Sequence, residues 1–191
     1  MKTSYQICVS GAAKGDSVEE GKELAMQVGA AIAQAGHALM TGATVGLPNY
    51  AAIGYKAAGG TMSLGISPAS SKVEHVRKYR LPTEAYDIIL YSGLHYVGRD
   101  SLLITSSDAV VSIGGRLGTL HEFTISMESD TPIGFLQGAG GISSQIQSIM
   151  EAAGPVRPGA VVLFENDPTK LVADLTKALD VERAAYRDLY V

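Results

Sequence analysis

A glycine-rich turn, GGRLGTLHE at residues 114–122, follows the apolar run AVVSI at 109–113, and this junction decides the fold. An apolar run, a glycine turn and an amphipathic segment are typical of a strand that leads into a helix. Glycines let the backbone approach a bulky anion, and the free amides of a helix's first turn favour a phosphate. The junction therefore predicts a phosphate-binding turn with the carboxyl group of Glu122 beside it.

Short runs rich in Val, Ile and Leu alternate with longer helical patterns along the chain. This alternation predicts an α/β fold of three layers, with a mostly parallel sheet of about seven strands and helices on both faces. The first helix is marked by Leu24, Val28, Ile32 and Ala35 at helical spacing, and Gly36 predicts its end. The predicted strands span 5–10, 38–41, 61–66, 87–91, 109–113, 132–136 and 160–164, and the further helices span 49–58, 99–106, 120–128, 142–153 and 168–180.

Composition excludes several classes of protein. The 191 residues predict one domain spanning 1–191, and 15 Lys and Arg against 19 Asp and Glu give a net charge of −4 that argues against nucleic acid as a partner. The single cysteine, Cys8, lies in a predicted buried strand, which predicts a core thiol in a reducing compartment. No leader and no run of eighteen apolar residues is found, so we expect a cytoplasmic protein without a membrane partner.

Two further strand ends carry small residues: SGAA at 10–13 and TGATVGL at 41–47. The carboxyl ends of parallel strands meet at one edge of the sheet, where ligands bind in open α/β folds. The three turns therefore predict one shared pocket, although each turn by itself could simply connect a strand to a helix. The segment 67–82, which contains His75, Arg77, Lys78 and Arg80, could be a loop or short helix beside this pocket, or a solvated face.

Metal and redox chemistry find no support in the residue pattern, because the four histidines are dispersed and the cysteine stands alone. No lysine is placed for a pyridoxal Schiff base, and the first turn lacks the dinucleotide fingerprint. We therefore expect no metal and no bound cofactor.

The motifs in this order resemble those of the Lonely Guy family, the SLOG-type nucleotide-binding proteins. Related branches include molybdenum-cofactor carrier-like and DNA-processing-protein-like proteins. The segments 9–12 and 41–48 resemble the first two family elements, and 114–122 resembles the most specific one, Pro-Gly-Gly-x-Gly-Thr-x-x-Glu. The likeness covers about residues 5–180 and implies a Rossmann-like three-layer sandwich that forms a homodimer. Gly114 replaces the Pro of this pattern, Arg116 its second Gly, and Asp100 the Lys of an Arg-Lys pair.

The resemblance implies a phosphoribohydrolase that splits a nucleoside 5'-monophosphate into free base and ribose 5-phosphate. Glu122 would then stabilise the cation-like sugar or activate water, and Arg99 would hold phosphate or ribose hydroxyls. Both residues are the catalytic candidates. The candidate residues for binding phosphate or nucleotide are Ser10, Gly11, Gly42, Ala43, Thr44, Gly115, Arg116, Leu117, Gly118 and Thr119.

Several alternatives stay open. Glu122 could merely complement the helix dipole, which contributes about 0.3–1 kcal/mol, and Arg99 could pair with Asp100 or Asp108. Helical spacing predicts a buried stripe of Leu120, Phe123 and Met127, which would leave Glu122 off the core side. Because Arg116 and Asp100 depart from the family pattern, a non-catalytic binder, carrier or sensor of a nucleotide or phosphorylated cofactor is the rival function, and a purely structural subunit is a third.

Overall fold

A seven-stranded, fully parallel sheet forms the centre of the computed structural model, which describes residues 4–154 and 159–189. The strand order is β4-β3-β2-β1-β5-β6-β7, so the chain first builds outward from β1 and then restarts on its other side. The strands are β1 Gln6–Gly11, β2 Ala38–Thr41, β3 Ser63–Ser67, β4 Ile88–Tyr91, β5 Ala109–Ile113, β6 Ile133–Leu136 and β7 Val162–Glu165.

Helices cover both faces of this sheet, and successive residues of one strand serve the two faces. Ile7 and Val9 of β1 pack into one apolar cluster, while Cys8 between them packs into the other as a buried free thiol. The first cluster lies under α1, α2 and α6, and the second lies under α3, α4 and α5. The helices are α1 Asp16–Ala35, α2 Leu47–Ala57, α3 His95–Thr105, α4 Leu117–Glu128, α5 Ile146–Ala153 and α6 Pro168–Arg183.

The predicted fold class is confirmed, and the differences lie at the ends of elements. The helix end predicted at Gly36 is confirmed, since this residue adopts a left-handed conformation directly after α1. α3 begins four residues before the predicted start, at His95, whose positive φ of 54° no sequence pattern indicates. The predicted helix 142–153 is divided into a short 3₁₀ turn, Gly141–Ser144, and α5.

The strand order reverses between β1 and β5, which places the ligand-binding edge of the fold at their carboxyl ends. These two strands are held in close register, with Val9 opposite Val111 and Gly11 opposite Ile113. A Cβ atom on Gly11 would lie 2.6 Å from the carbonyl oxygen of Ile113, so only glycine allows this approach. The turns after β1 and β5 therefore lie side by side.

The polar segment 67–82 forms a short π-helical turn, Glu74–Lys78. Its basic residues Arg77, Lys78 and Arg80 are exposed, but His75 is fully buried and therefore does not belong to a solvated face. The His75 Nε2 atom donates a hydrogen bond to the Pro82 carbonyl at 3.0 Å, and its Nδ1 lies 2.8 Å from Ser67 Oγ. This histidine thus ties the turn to the end of β3.

Candidate functional site

A cavity of about 230 Å³ lies at the carboxyl ends of β1, β2 and β5. Nine of the twelve candidate residues from the sequence line it, although they come from three separate strand-to-helix junctions, including the first two turns of α4, and from α3. Those nine are Ser10, Gly11, Gly42, Thr44, Arg99, Arg116, Gly118, Thr119 and Glu122, and the remaining lining residues are Val9, Ala12, Ala13, Pro48, Tyr96 and Asp100.

The other three candidates do not line this cavity. Ala43 is fully buried at a positive φ of 50°, with its amide donating to Thr41 Oγ1 at 3.0 Å. Gly115 lies beneath Thr119, whose Oγ1 would be 2.0 Å from an added Cβ, and Leu117 is 79% exposed. These residues shape the turns or face solvent.

Glu122 lies on the buried side of α4, so the prediction that it faces away from the core is wrong. The buried residues of this helix are Thr119, Glu122, Phe123 and Ser126, whereas Leu120 and Met127 are only half-buried. The apolar spacing failed because α4 begins beside the cavity, and Glu122 on this side of the helix faces the carboxyl end of β1. A helix beside a polar cavity does not need an apolar stripe on that side.

The Glu122 carboxyl group is enclosed between β1 and α3. Its Oε2 atom accepts a hydrogen bond from Ser10 Oγ, which fixes its orientation toward the end of β1. Burial raises the pKa of Glu122 to about 7, and the nearby Asp100 carboxylate adds to this shift. The hydrogen bond from the Ser10 hydroxyl lowers this pKa, as do the electrostatic interactions with Arg99 and His121. A carboxyl group in this state can hold or release a proton near neutral pH.

Arg99 is a buried cation that fits against a glycine. A Cβ atom on Gly42 would lie 1.4 Å from Arg99 Nη1, so the guanidinium fills the space that any other residue would occupy. Arg99 Nε lies 3.3 Å from Asp100 Oδ1, yet neither atom has a hydrogen-bond partner among the described residues. The guanidinium also lies 6.0 Å from the ring centroid of Tyr96. Asp108, the other predicted partner, binds Arg183 instead.

Asp100 is a second buried carboxyl group in the cavity wall, and the sequence reasoning did not assign it a role. Burial raises the pKa of Asp100, against the opposing effects of Arg99 and His121. Its Oδ2 atom accepts from His121 Nδ1 at 3.2 Å. Tyr96, Arg99 and Asp100 have i, i+3 and i+4 spacing, so one face of α3 reaches the cavity. That spacing was the signal available in the sequence.

The turn between β5 and α4 is held by hydrogen bonds from the 3₁₀ turn Gly141–Ser144. Gly114 and Gly115 adopt positive φ values of 59° and 90°, which glycine tolerates best. The Gly114 carbonyl accepts from Ser143 Oγ at 2.6 Å, and the Gly115 carbonyl accepts from the Ile142 amide at 2.8 Å. No side chain of the described residues caps the start of α4. Its first amides are thus available to an anion, beside the exposed Arg116.

A larger, more open groove of about 970 Å³ lies at the amino ends of β6 and β7, beside α6. It contains none of the candidate residues and lies away from the strand ends where such folds bind ligands. Within residues 4–154 and 159–189, no cluster of three or more His, Cys, Asp or Glu side chains could hold a metal ion. Among the helices of the same ranges, none has the length and apolar character to cross a membrane.

Known proteins are similar to this chain in sequence or in structure. An uncharacterized protein of Archaeoglobus fulgidus is 33% identical over 132 residues, which are 69% of this chain and 80% of that protein. The molybdenum cofactor carrier protein of Chlamydomonas reinhardtii superimposes with a TM-score of 0.72 at 25% identity, covering 93% of this chain and 99% of that one. The molybdenum cofactor binding protein of Rippkaea orientalis gives a TM-score of 0.70 at 25% identity, over 94% and 99% of the two chains.

The family comparison spans most of the chain. The model of the SLOG cluster4 family matches residues 4–172, which include every residue that lines the cavity. The chain belongs to the SLOG cluster4 family.

Proposed function

We propose that this chain binds a phosphorylated, nucleotide-like small molecule in the cavity at the ends of β1, β2 and β5. The observation that carries the proposal is the convergence of an uncapped helix start, Arg116 and Arg99 on one enclosed volume. Amides at a helix start and arginine side chains are the groups that proteins use to bind phosphate. The related proteins that bind or carry the molybdenum cofactor support a phosphorylated cargo.

The size of the cavity restricts how such a ligand lies. A volume of about 230 Å³ is below the range of about 300–1,000 Å³ typical of sites for whole small molecules. We therefore place the phosphate at 115–119 and the adjoining sugar or ring beside Ser10 and Glu122. The remaining flat ring system would extend past Tyr96, whose side chain is half exposed at the cavity mouth.

Carrying the ligand unchanged is the first candidate activity. Asp100 lies beside Arg99 and partly offsets its charge, so the arginine stabilises charge that develops on a bound ligand less strongly. The similarity to carrier proteins favours the same activity.

Hydrolysis of the N-glycosidic bond of a nucleoside 5'-monophosphate is the second candidate. Glu122 favours it, because a carboxyl group with a pKa of about 7 beside the sugar position could serve as acid or base at neutral pH. Arg99, which lines the same cavity, would hold the ribose hydroxyls.

Calorimetry together with product analysis tests the proposal and separates the two activities. Purified protein is titrated with AMP, with ribose 5-phosphate and with the molybdenum cofactor. Saturable binding without release of base supports a carrier, and release of base that is lost in Glu122→Gln supports the hydrolase. If neither phosphorylated probe nor the cofactor binds, the proposed function is wrong.

A homodimer and a cytoplasmic location are part of the proposal. Cys8, a buried free thiol, suits a reducing compartment. Exposed apolar side chains gather on the π-helical turn's flank, the edge strand β4 and the start of α3, and a second copy of the chain would cover them. These residues are Val73, Ile88, Leu90, Leu94 and Val97.

Light scattering tests the dimer with two matched substitutions. Val97 and Val181 are both 69% exposed, but only Val97 belongs to this surface. We expect Val97→Glu to halve the mass in solution and Val181→Glu to leave it unchanged. A monomeric wild type would refute the dimer.

A further inference from the structure

The charges of the ionised side chains in the wall of the cavity do not sum to zero. Asp100 and Glu122 are both at least nine-tenths buried, and Arg99 is the one buried cation lining this cavity among the described residues. Arg116 also lines it but is exposed to solvent, which screens its charge. With both carboxyl groups ionised, the buried cluster has an excess negative charge.

A phosphate monoester has two negative charges above its second pKa of about 6. It would meet this excess charge inside a small, poorly solvated volume, where repulsion between like charges is strong. Addition of one proton to a carboxyl group neutralises the cluster. Such a proton comes from solvent, and no bond to the ligand forms or breaks.

We propose that Asp100 makes ligand binding proton-coupled: a dianionic phosphoryl ligand enters this cavity together with one proton, which resides on Glu122. Asp100 is thereby a specificity-determining residue, since it disfavours dianions unless that proton is supplied. The inference rests on the proposed function, because it concerns the same phosphorylated ligand.

The surroundings of Glu122 assign the proton to this residue rather than to Asp100. The ionisable groups that face Glu122 are Cys8 on β1, Arg99 and Asp100 on α3, and His121 on its own helix. Asp100 lies 3.3 Å from the Arg99 guanidinium and accepts a hydrogen bond from His121 at 3.2 Å, whereas Glu122 has the uncharged hydroxyl of Ser10 as its hydrogen-bond partner among the described residues. The pKa of about 7 at Glu122 agrees with this assignment.

Once protonated, Glu122 changes its role toward the ligand. Its Oε2 atom still accepts from Ser10, and the other oxygen becomes a hydrogen-bond donor. A neutral donor can face a phosphate or hydroxyl oxygen without charge repulsion. Proton uptake therefore both removes the excess charge and supplies a new contact.

The experiment counts the protons that accompany binding. Ribose 5-phosphate is the probe, since it has no base to release, and it is titrated at pH 8 in Tris and in HEPES, whose heats of ionisation differ. For the wild type we expect uptake of about one proton per ligand and an affinity that falls as the pH rises above about 7. Glu122→Gln should take up almost none and have a flat pH profile between pH 6.5 and 8.5.

Asp100→Asn tests the part played by Asp100, and Asp174→Asn, an exposed position on α6, is its matched control. We expect Asp100→Asn to bind ribose 5-phosphate roughly tenfold more tightly at pH 8 and with less proton uptake, because one nearby negative charge is gone. Asp174→Asn should behave as the wild type. Binding without proton uptake in the wild type, or unchanged affinity in Asp100→Asn, would overturn this inference and leave the proposed function standing. Failure of AMP, ribose 5-phosphate and the molybdenum cofactor alike to bind would instead overturn the proposed function.

Discussion

Gly42, directly after β2, and Gly118, in the first turn of α4, both line the cavity, yet the absence of a side chain has a different consequence at each position. At Gly42 the space is already filled, since an added Cβ would lie 1.4 Å from Arg99 Nη1. At Gly118 an added Cβ would have no atom within 4 Å among the described residues. The first glycine accommodates a protein cation, and the second leaves room beside the first turn of α4.

The difference shows that a glycine-rich turn does not by itself identify the position of a phosphate. The turn after β2 is shaped by what packs against it: Arg99 against Gly42, and the backbone of Ala12 and Ala13 against Gly46. The turn after β5 is held on one side by hydrogen bonds from Ser143 and Ile142, and on its other side it borders the cavity. We therefore expect the two turns to respond differently to substitution.

The largest effect should follow from removing the cation that fills the space at Gly42. Arg99→Met leaves two buried carboxyl groups without their shared partner, and loss of one side of such a pair costs about 3–5 kcal/mol of the free energy of unfolding. Arg116→Met removes an exposed arginine and should change stability by about 0.5 kcal/mol or less. Urea unfolding at pH 8 measures both, and equal losses would show that Arg99 is not part of a buried charge cluster.

Glu122 should make stability depend on pH. Its pKa rises from 4.5 to about 7 on folding, so the native state holds more protons than the unfolded state between these values, and stability falls as the pH rises through this window. The full penalty above pH 7 is about 3 kcal/mol. The free energy of unfolding of Glu122→Gln minus that of the wild type should thus increase from pH 4.5 to 7 and then level off. A difference that is independent of pH would mean that the carboxyl group is hydrated.

Gly42→Ala should cost about 1–3 kcal/mol of stability, the usual penalty for overfilling a packed site. The guanidinium has to move away from the turn, so the affinity for ribose 5-phosphate should fall as well. Thermal unfolding and calorimetry measure the two effects. If Gly42→Ala is as stable as the wild type, the contact between Gly42 and Arg99 is loose.

The smallest change in stability, and one of opposite sign, is expected for Gly118→Ala. Alanine is preferred over glycine in a helix and meets no steric contact here, so the protein should become more stable by about 0.5–1 kcal/mol. Affinity for a phosphorylated probe should nevertheless fall, because the methyl group occupies space beside the anion. Unchanged affinity would place the phosphate elsewhere in the cavity.

The sequence was a good guide to features that depend on local pattern. Alternating apolar runs and helical stretches predicted the parallel sheet and its two layers of helices, since each element needs an apolar face. Turns of small residues after three strands predicted a shared cavity, because parallel strands end at one edge. The candidates Ser10, Arg99 and Glu122 do meet there.

Features that depend on contacts between distant segments were missed. Glu122 was predicted to lie off the core side of α4, because apolar spacing cannot show that a buried helix face borders a polar cavity. Asp100 and Tyr96 reach the cavity because one face of α3 borders it. The role of Gly42 depends on Arg99, which lies 57 positions later in the chain.

The amino-acid sequence by itself determined the order of strands and helices, the positions of the glycine-containing turns and the types of side chain available for phosphate chemistry. Tertiary structure alone decided which of these side chains are buried together, and thereby the pKa of Glu122 and the charge excess beside Arg99. The physical reason is that backbone preference acts between neighbours in the chain, whereas desolvation and charge interaction depend on distance in space.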